Sequence, residues 1–512
     1  MSRAGGTVGL VSVAVLGIAL LVVTSAVPFA FLADDALFYV VIGRNVAAGE
    51  GITFSQVMPT NGFQPLWQGL VAGMSWVSDG LGRGGPLSVL RAALVLYFAV
   101  LAIGVALLDR LLRRLDLSPL ARVLAALGAV VFLGGPIGAV GSEAALVFAT
   151  LVAVLLALER LVQADGRAWR ATLGLGIWLG AMMLSRLDTV FVAGCAAAGV
   201  AVVGCVPLRA RIGRASLVVA TASVVVAPYL AWNLVRFDRP LPIAGAIKLD
   251  GLQPQVSPLA IGRSGWVLLV TAAVGAAAAF VPPGSRRALL CWSVPAVGAA
   301  VASAFYITLS PGGFTDLEWY RVPHLTAAVI AVGAAVTRWE VGRVRAVVAA
   351  AALAGVVVLV AGVGWVTATR RVSGPNRELV DPLEAFGHAA ADVLPENAVV
   401  ATVDYPGVMG LTVERPVVAL DGLTGDFAFQ EDLRRRGAEC ALALRRVTHL
   451  VTITDERLEE APGDEGGFVQ PVGSWLDDMP AGDLPVDRDA LLLDDEASGL
   501  SLWELDLGCP PP

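Results

Sequence analysis

The chain has 512 residues, 56% of them hydrophobic and only 15% charged, and its mean hydropathy of +0.74 excludes a soluble enzyme in favour of a polytopic membrane protein. The formal charge of −7 hides an asymmetry, because 28 acidic residues from Arg370 onward face only 11 arginines. A basic body (residues 1–369) thus precedes an acidic, water-soluble tail (residues 370–512), and no Lys/Arg run resembles a nucleic-acid footprint.

The first apolar run, from about Thr7 to Leu32, is long enough to cross a bilayer and too long for a signal peptide, so it reads as a retained first helix. Asp34 and Asp35 follow it directly, at the edge where a helix leaves hydrocarbon. Further apolar runs lie near residues 64–80, 86–109, 118–135, 140–158, 171–185, 187–206, 215–235, 264–281, 288–309, 322–337 and 346–368. Five connections are arginine-rich: Arg110/Arg113/Arg114, Arg160/Arg167/Arg170, Arg209/Arg211/Arg214, Arg286/Arg287 and Arg338/Arg343/Arg345. The positive-inside rule puts all five in the cytoplasm, which requires that one early run fail to cross. Residues 64–80 are that run: short, opened by Gln64-Pro65, and carrying Gln68, Gly69, Gly73 and Ser75. We read it as an interfacial or re-entrant helix within a first outer loop spanning residues 33–85. The expectation is eleven spanning helices, with the N-terminus inside and the tail outside.

This arrangement sends the remaining edge residues to the outer face. They are Asp34, Asp35, Arg44, Asn61 and Gln64; Gly141-Ser142-Glu143; Ser185-Arg186-Leu187-Asp188; the segment ending at Lys248, the chain's only lysine; and Asp316 to His324. Ionisable groups at membrane depth are costly and usually functional. Taken singly, each has a plainer reading as a capping or snorkelling residue. In the tail, helices are expected at Leu383–Val393 and Phe427–Arg436, and strands at Ala398–Val403, Pro416–Leu420, Thr448–Thr454 and Ser501–Leu505, which makes a small α/β domain. Residues 455–498, rich in Asp, Glu, Gly and Pro, read as loops. Cys195, Cys205 and Cys291 fall in apolar runs, whereas Cys440 and Cys509 are free to pair if the tail is extracytoplasmic.

With these residues in view, the chain resembles the C-type superfamily of polyprenyl-phosphate-dependent membrane glycosyltransferases. The superfamily includes protein O-mannosyltransferases, aminoarabinose transferases and cell-wall arabinofuranosyltransferases. The likeness rests on the acidic pair Asp34-Asp35 with Tyr39, the N-G-F-Q-P-L-W turn from Asn61 to Trp67, and G-S-E at Gly141 to Glu143. It continues through R-L-D at Arg186 to Asp188, P-Y-L-A-W-N at Pro228 to Asn233, P-I-A-G-A-I-K at Pro242 to Lys248, Trp319-Tyr320 and Asp421-Gly422.

The resemblance implies inverting transfer of a sugar from a polyprenyl-phosphate donor to a hydroxyl of a cell-envelope glycan, lipid or protein, at the outer face of a bacterial plasma membrane. By position Asp34 matches the general base and Asp35 the second acid; a carboxylate beside another carboxylate has raised proton affinity, which suits a base. A departing phosphate needs cations. Aminoarabinose transferases place a lysine before a Pro-Pro in the first loop, where this chain reads Phe63-Gln64-Pro65-Leu66, so Lys248 and Arg321 are the candidates, with Arg186 behind them. Tyr39, Asn61, Gln64, Trp67, Glu143, Asp188, Trp319, Tyr320 and His324 complete the expected substrate site. A divalent cation (Mg or Mn) held by Asp34, Asp35 and Glu143 is open, since relatives differ in using one. Two other classes stand beside the enzyme: a transporter or flippase of lipid-linked sugars, disfavoured by the absence of mid-span charge and of a half-to-half repeat, and a non-catalytic membrane scaffold, which leaves the outer-edge acids without work.

Overall fold

A computed structural model describes residues 10–15, 17–18, 29, 32, 34–134, 140–164, 168–203, 206–249, 286–309, 318–339, 375–402, 405–420, 422–453, 459–460, 467–471, 483–495 and 497–509. Most of the first span, the spans expected at 264–281 and 346–368, Asp316, Asp404 and Asp421 lie outside the described residues, as do the side chains of Lys248 and Trp319.

The membrane body is helical. It comprises α1 (Asp34–Ala48), α2 (Pro65–Gly80), α3 (Pro86–Arg114), α4 (Pro119–Gly134), α5 (Ala144–Gln163), α6 (Trp169–Ser185), α7 (Val190–Val202), α8 (Leu208–Phe237), α9 (Ile243–Leu249), α10 (Arg286–Leu309) and α11 (Val322–Trp339). Proline opens α2 and α3 at the first helical turn, where its missing N–H costs nothing. Among the described residues, α3, α5 and α8 are long and apolar enough to cross a membrane, and α4, α7, α10 and α11 contain shorter apolar stretches.

The apolar helices differ in what surrounds them. α5 is apolar on every side and is enclosed by its neighbours, with Phe148, Leu151, Leu155 and Leu158 fully buried. α8 is nearly as apolar but peripheral, leaving Val224 and Val235 open at 71% and 86%, a surface suited to lipid. α2 is two-faced: Trp67, Val71 and Ser75 are buried against α1, while Trp76 and Leu81, just past its end, are exposed.

α5 also separates two chemical environments. Glu143 precedes its first residue and Glu159 lies on its last turn, about 24 Å away at 1.5 Å per residue. At the Glu159 end, the Arg114 guanidinium lies 2.9 Å from that carboxylate, and Arg214 donates to the Ala164 carbonyl at 3.3 Å. Asp109 pairs with Arg122 at 2.8 Å nearby in sequence, both side chains being 5% exposed. Residues from three of the five arginine-rich connections therefore meet at one end of the bundle, and the candidate site forms at the other.

The tail contains α12 (Pro375–Val393), β1 (Val400–Thr402), α13 (Pro406–Thr412), β2 (Val417–Ala419), α14 (Phe427–Ala443), β3 (His449–Ile453), β4 (Glu459–Glu460), β5 (Gly467–Pro471), β6 (Asp483–Asp487), β7 (Leu491–Asp495) and β8 (Leu500–Glu504). The larger sheet has the order β2-β1-β3-β8-β7, with β1 parallel to β2 and β3, and β8 antiparallel to both of its neighbours. Four expected strands match β1, β2, β3 and β8. The segment 455–498 is a correction: it carries β4, β5 and β6, which form an antiparallel three-stranded sheet, and β7. Leu484 and Val486 are the buried period-two pair there, and the acids and prolines around them mask the alternation. α14 begins where Asp426 accepts from the Phe429 amide at 2.7 Å, and it breaks at Gly437 (φ 80°), next to the expected end at Arg436. Cys440 and Cys509 form a disulfide, while the buried Cys291 thiol donates to the Leu155 carbonyl at 3.8 Å.

Candidate active site

A cavity of about 280 Å³ opens at the Glu143 end of α5. One face of α1 supplies Asp35, Phe38 and Tyr39, residues spaced to share a helical side. Gln64, Glu143, Arg186, Asp188 and Tyr320 also line it. The seven candidates among them come from four of the five segments expected at the outer face, and Pro242, Ala244 and Gly245 of the remaining one line the same cavity.

Its centre is a buried charge network. Arg186 donates through Nη1 to Glu143 Oε1 and through Nε to Asp188 at 2.9 Å. The Tyr39 hydroxyl donates to the other Glu143 oxygen at 2.8 Å. The Arg186 guanidinium stacks 3.8 Å from the centre of the Tyr320 ring. Burial alone would weaken the Arg186 cation, but Asp188, Tyr320 and Glu143 outweigh it and hold its pKa above the ordinary value. Burial, and then the negative charge of Glu143, push the Tyr39 phenol well above its usual range, so it stays a neutral donor. Around this centre, Gln64 Oε1 accepts from the Leu187 amide at 3.3 Å, tying the turn before α2 to the R-L-D segment.

Two motif residues expected in the site instead hold its walls. Asn61 is fully buried; it donates to Asn233 Oδ1 at 2.9 Å and accepts from the Ile243 amide at 2.9 Å. The N-G-F turn, the P-Y-L-A-W-N helix end and the start of P-I-A-G-A-I-K are thereby joined through one amide side chain. Trp67 is also fully buried, donating to the Gly141 carbonyl at 3.2 Å and packing edge-on against Tyr97. His324 faces Ser303 Oγ at 3.1 Å and is not among the cavity-lining residues. Lys248 sits in α9, whose first residues Ala244 and Gly245 border the cavity.

The acidic pair is divided. Asp35 lines the cavity, whereas the Asp34 carboxylate accepts from the amides of Gly407 at 2.9 Å and Val408 at 3.0 Å, at the start of α13 in the tail. The interface is close. A Cβ at Gly407 would lie 2.6 Å from the Asp34 carbonyl oxygen, and one at Gly62 would lie 1.8 Å from that of Leu423. Leu423 itself lines the cavity, so the tail forms part of its wall.

Asp34, Asp35 and Glu143 do not form one ligand set, because Asp34 is engaged with α13 and both Glu143 oxygens are occupied. Among the described residues no group of three His, Cys, Asp or Glu side chains is arranged to hold a metal. Sequence reasoning missed Tyr306, whose hydroxyl lies 3.5 Å from Asp188 Oδ2 and whose ring meets Tyr320 edge-on at 5.4 Å. Its setting inside an apolar run gave no sign of this.

The fold as a whole is similar to that of two groups of solved structures. One solved structure of that fold is the archaeal oligosaccharyltransferase AglB from Archaeoglobus fulgidus, in complex with an inhibitory peptide and a dolichol-phosphate (12% identity, 93% of this chain and 75% of that one, TM-score 0.53). ArnT from Cupriavidus metallidurans is similar in the apo state (13% identity, 86% and 93% covered, TM-score 0.54) and bound to undecaprenyl phosphate (16%, 86% and 93%, 0.51). No protein-family model matches the chain, and no curated protein matches it.

Proposed function

We propose that this chain is an integral-membrane glycosyltransferase that moves a hexosyl or pentosyl unit, with inversion, from a polyprenyl-phosphate donor to a hydroxyl of a cell-envelope acceptor. The observation that carries the reading is Asp35: a carboxylate in the wall of a cavity, at one end of a fold whose solved examples hold dolichol-phosphate or undecaprenyl phosphate. Asp35 takes the acceptor's proton as the hydroxyl oxygen bonds to the anomeric carbon, and the bond to the donor phosphate breaks with its electron pair leaving on the phosphate. Asp34, the base expected by position, holds the tail instead.

Arg186 already faces two carboxylates, so its role is to hold Glu143 and Asp188 in place. Lys248, on the turn of α9 beyond the cavity-lining residues, and Arg321 are the cations for the departing phosphate. Gln64 and Tyr320, both in the cavity wall, meet the substrate. The outward orientation, with residues 370–512 as an extracytoplasmic tail and α2 as a non-crossing helix, is supported by the disulfide and by the separation of arginine-rich end from site.

The test supplies the purified protein in lipid nanodiscs with radiolabelled polyprenyl-phosphate mannose, galactose and arabinose and a crude envelope acceptor. Transfer from one donor is expected. Failure with every donor, with donor binding retained, would move the reading to a flippase of lipid-linked sugars.

A further inference from the structure

A second cavity, of about 500 Å³, lies on another face of α1 and is not used by the proposed reaction. Its size falls within the roughly 300–1,000 Å³ typical of ligand sites. Its floor is buried and mixed, with Val41, Phe54, Val89 and Val417 beside the polar Asn45 and Ser75. Its rim is polar, with Arg44 from α1, Gln56 from the first loop, Asp79 from α2, and Glu414 and Arg415 from the tail. Membrane body and tail therefore build it together.

Three features point to a ligand. The half-buried Arg44 guanidinium has no hydrogen-bond partner among the described residues; Glu414 acts on it electrostatically, countering the weakening of the cation by burial. Leaving such a group unpaired is costly unless something else meets it. Gln56 and Glu414 both take left-handed backbone (φ 60° and 55°), a conformation disfavoured for non-glycine residues, and both face this cavity. Finally, two cations and two carboxylates on the rim balance formally, which suits an uncharged partner rich in hydroxyls. Such a partner matches the donors and acceptors of the rim, and its C–H faces match the apolar part of the floor.

We propose that this second cavity binds a neutral saccharide unit of the acceptor, set back from the reacting hydroxyl. Asp35 and Arg44 are about 13 Å apart along the axis of α1 and on opposite sides of it, so an acceptor chain that meets both passes round the helix and places several sugar units between them. The proposal rests on the glycosyl-transfer reading, and its test separates the two.

The full-length protein in nanodiscs, without donor, is titrated with the neutral tetrasaccharides of mannose, galactose and arabinose and with a tetrasaccharide containing glucuronate. At least one neutral tetrasaccharide binds, and Arg44→Ala weakens it tenfold or more. Ala48→Trp, which fills the cavity from the end of α1, does the same while thermal midpoints stay near wild type. Absence of binding by every neutral probe, binding of the glucuronate probe alone, or binding indifferent to both variants overturns the proposal. Saccharide binding that follows this pattern in a protein that transfers from no donor sinks the transfer reading and leaves the second cavity as a glycan site.

Discussion

Glu143 gives one oxygen to Tyr39 and the other to Arg186, which also serves Asp188. This arrangement makes Arg186 hard to replace: without it the buried Glu143 and the partly buried Asp188 carboxylates would lose their cation. Arg186→Ala should therefore cost about 3–5 kcal/mol, the usual penalty for breaking a buried charge network, read as a lowered thermal midpoint in nanodiscs. A midpoint like wild type's would mean that the network is solvated. His449 makes a prediction of opposite character. Burial holds its pKa below the ordinary value, partly offset by Glu504, so the folded tail prefers the neutral ring. Its stabilising contribution is present above the unfolded pKa of about 6.5 and is lost as pH falls towards the depressed folded value. Protection factors along β3, which divide out the intrinsic slowing of amide exchange in acid, should fall between pH 7 and pH 5, and less so in His449→Gln; an equal fall in the variant would place the cause elsewhere. Residue types at the site were legible because ionisable groups stand out in an apolar chain, as with Glu143, Arg186 and Asp188. Roles were not. Asn61 and Trp67 look like ligand-binding residues in the sequence, and only the positions of Asn233 and Gly141, far along the chain, make them wall-builders.

At the scale of elements, α13 rests on α1 through glycine, and Asp34 meets the amides at its start. A charged acceptor on a backbone N–H contributes roughly 1.5–3 kcal/mol. Gly407→Ala puts a methyl group against the Asp34 backbone and should loosen this contact, giving exchange at the Val408 amide at least tenfold faster while α5 is unaffected. Unchanged exchange would mean that the tail docks by other means. The helices of the body were readable from hydropathy and proline, since length and apolar content suffice for a helix in lipid. Strands β4 to β7 were not, because their buried pairs are short and lie among acids and prolines, where periodicity has no room to register.

Across the whole molecule, α5 separates an arginine-paired end from the cavity, and the tail closes the cavity through Leu423. The charge pattern of the sequence anticipated this polarity. It did not anticipate that two adjacent aspartates serve different partners, because sequence adjacency says nothing of the direction each side chain takes at a helix start. On the proposed function, Asp35 is the base and Asp34 a tail contact. Initial rates of sugar transfer by nanodisc-held protein, compared for Asp35→Asn and Asp34→Asn at saturating donor, test it most directly. A loss of at least about 100-fold in kcat is expected for Asp35→Asn with donor binding intact, and for Asp34→Asn a weaker defect accompanied by faster exchange at Val408. The reverse ranking, with Asp34→Asn inactive while its tail remains docked, would contradict it.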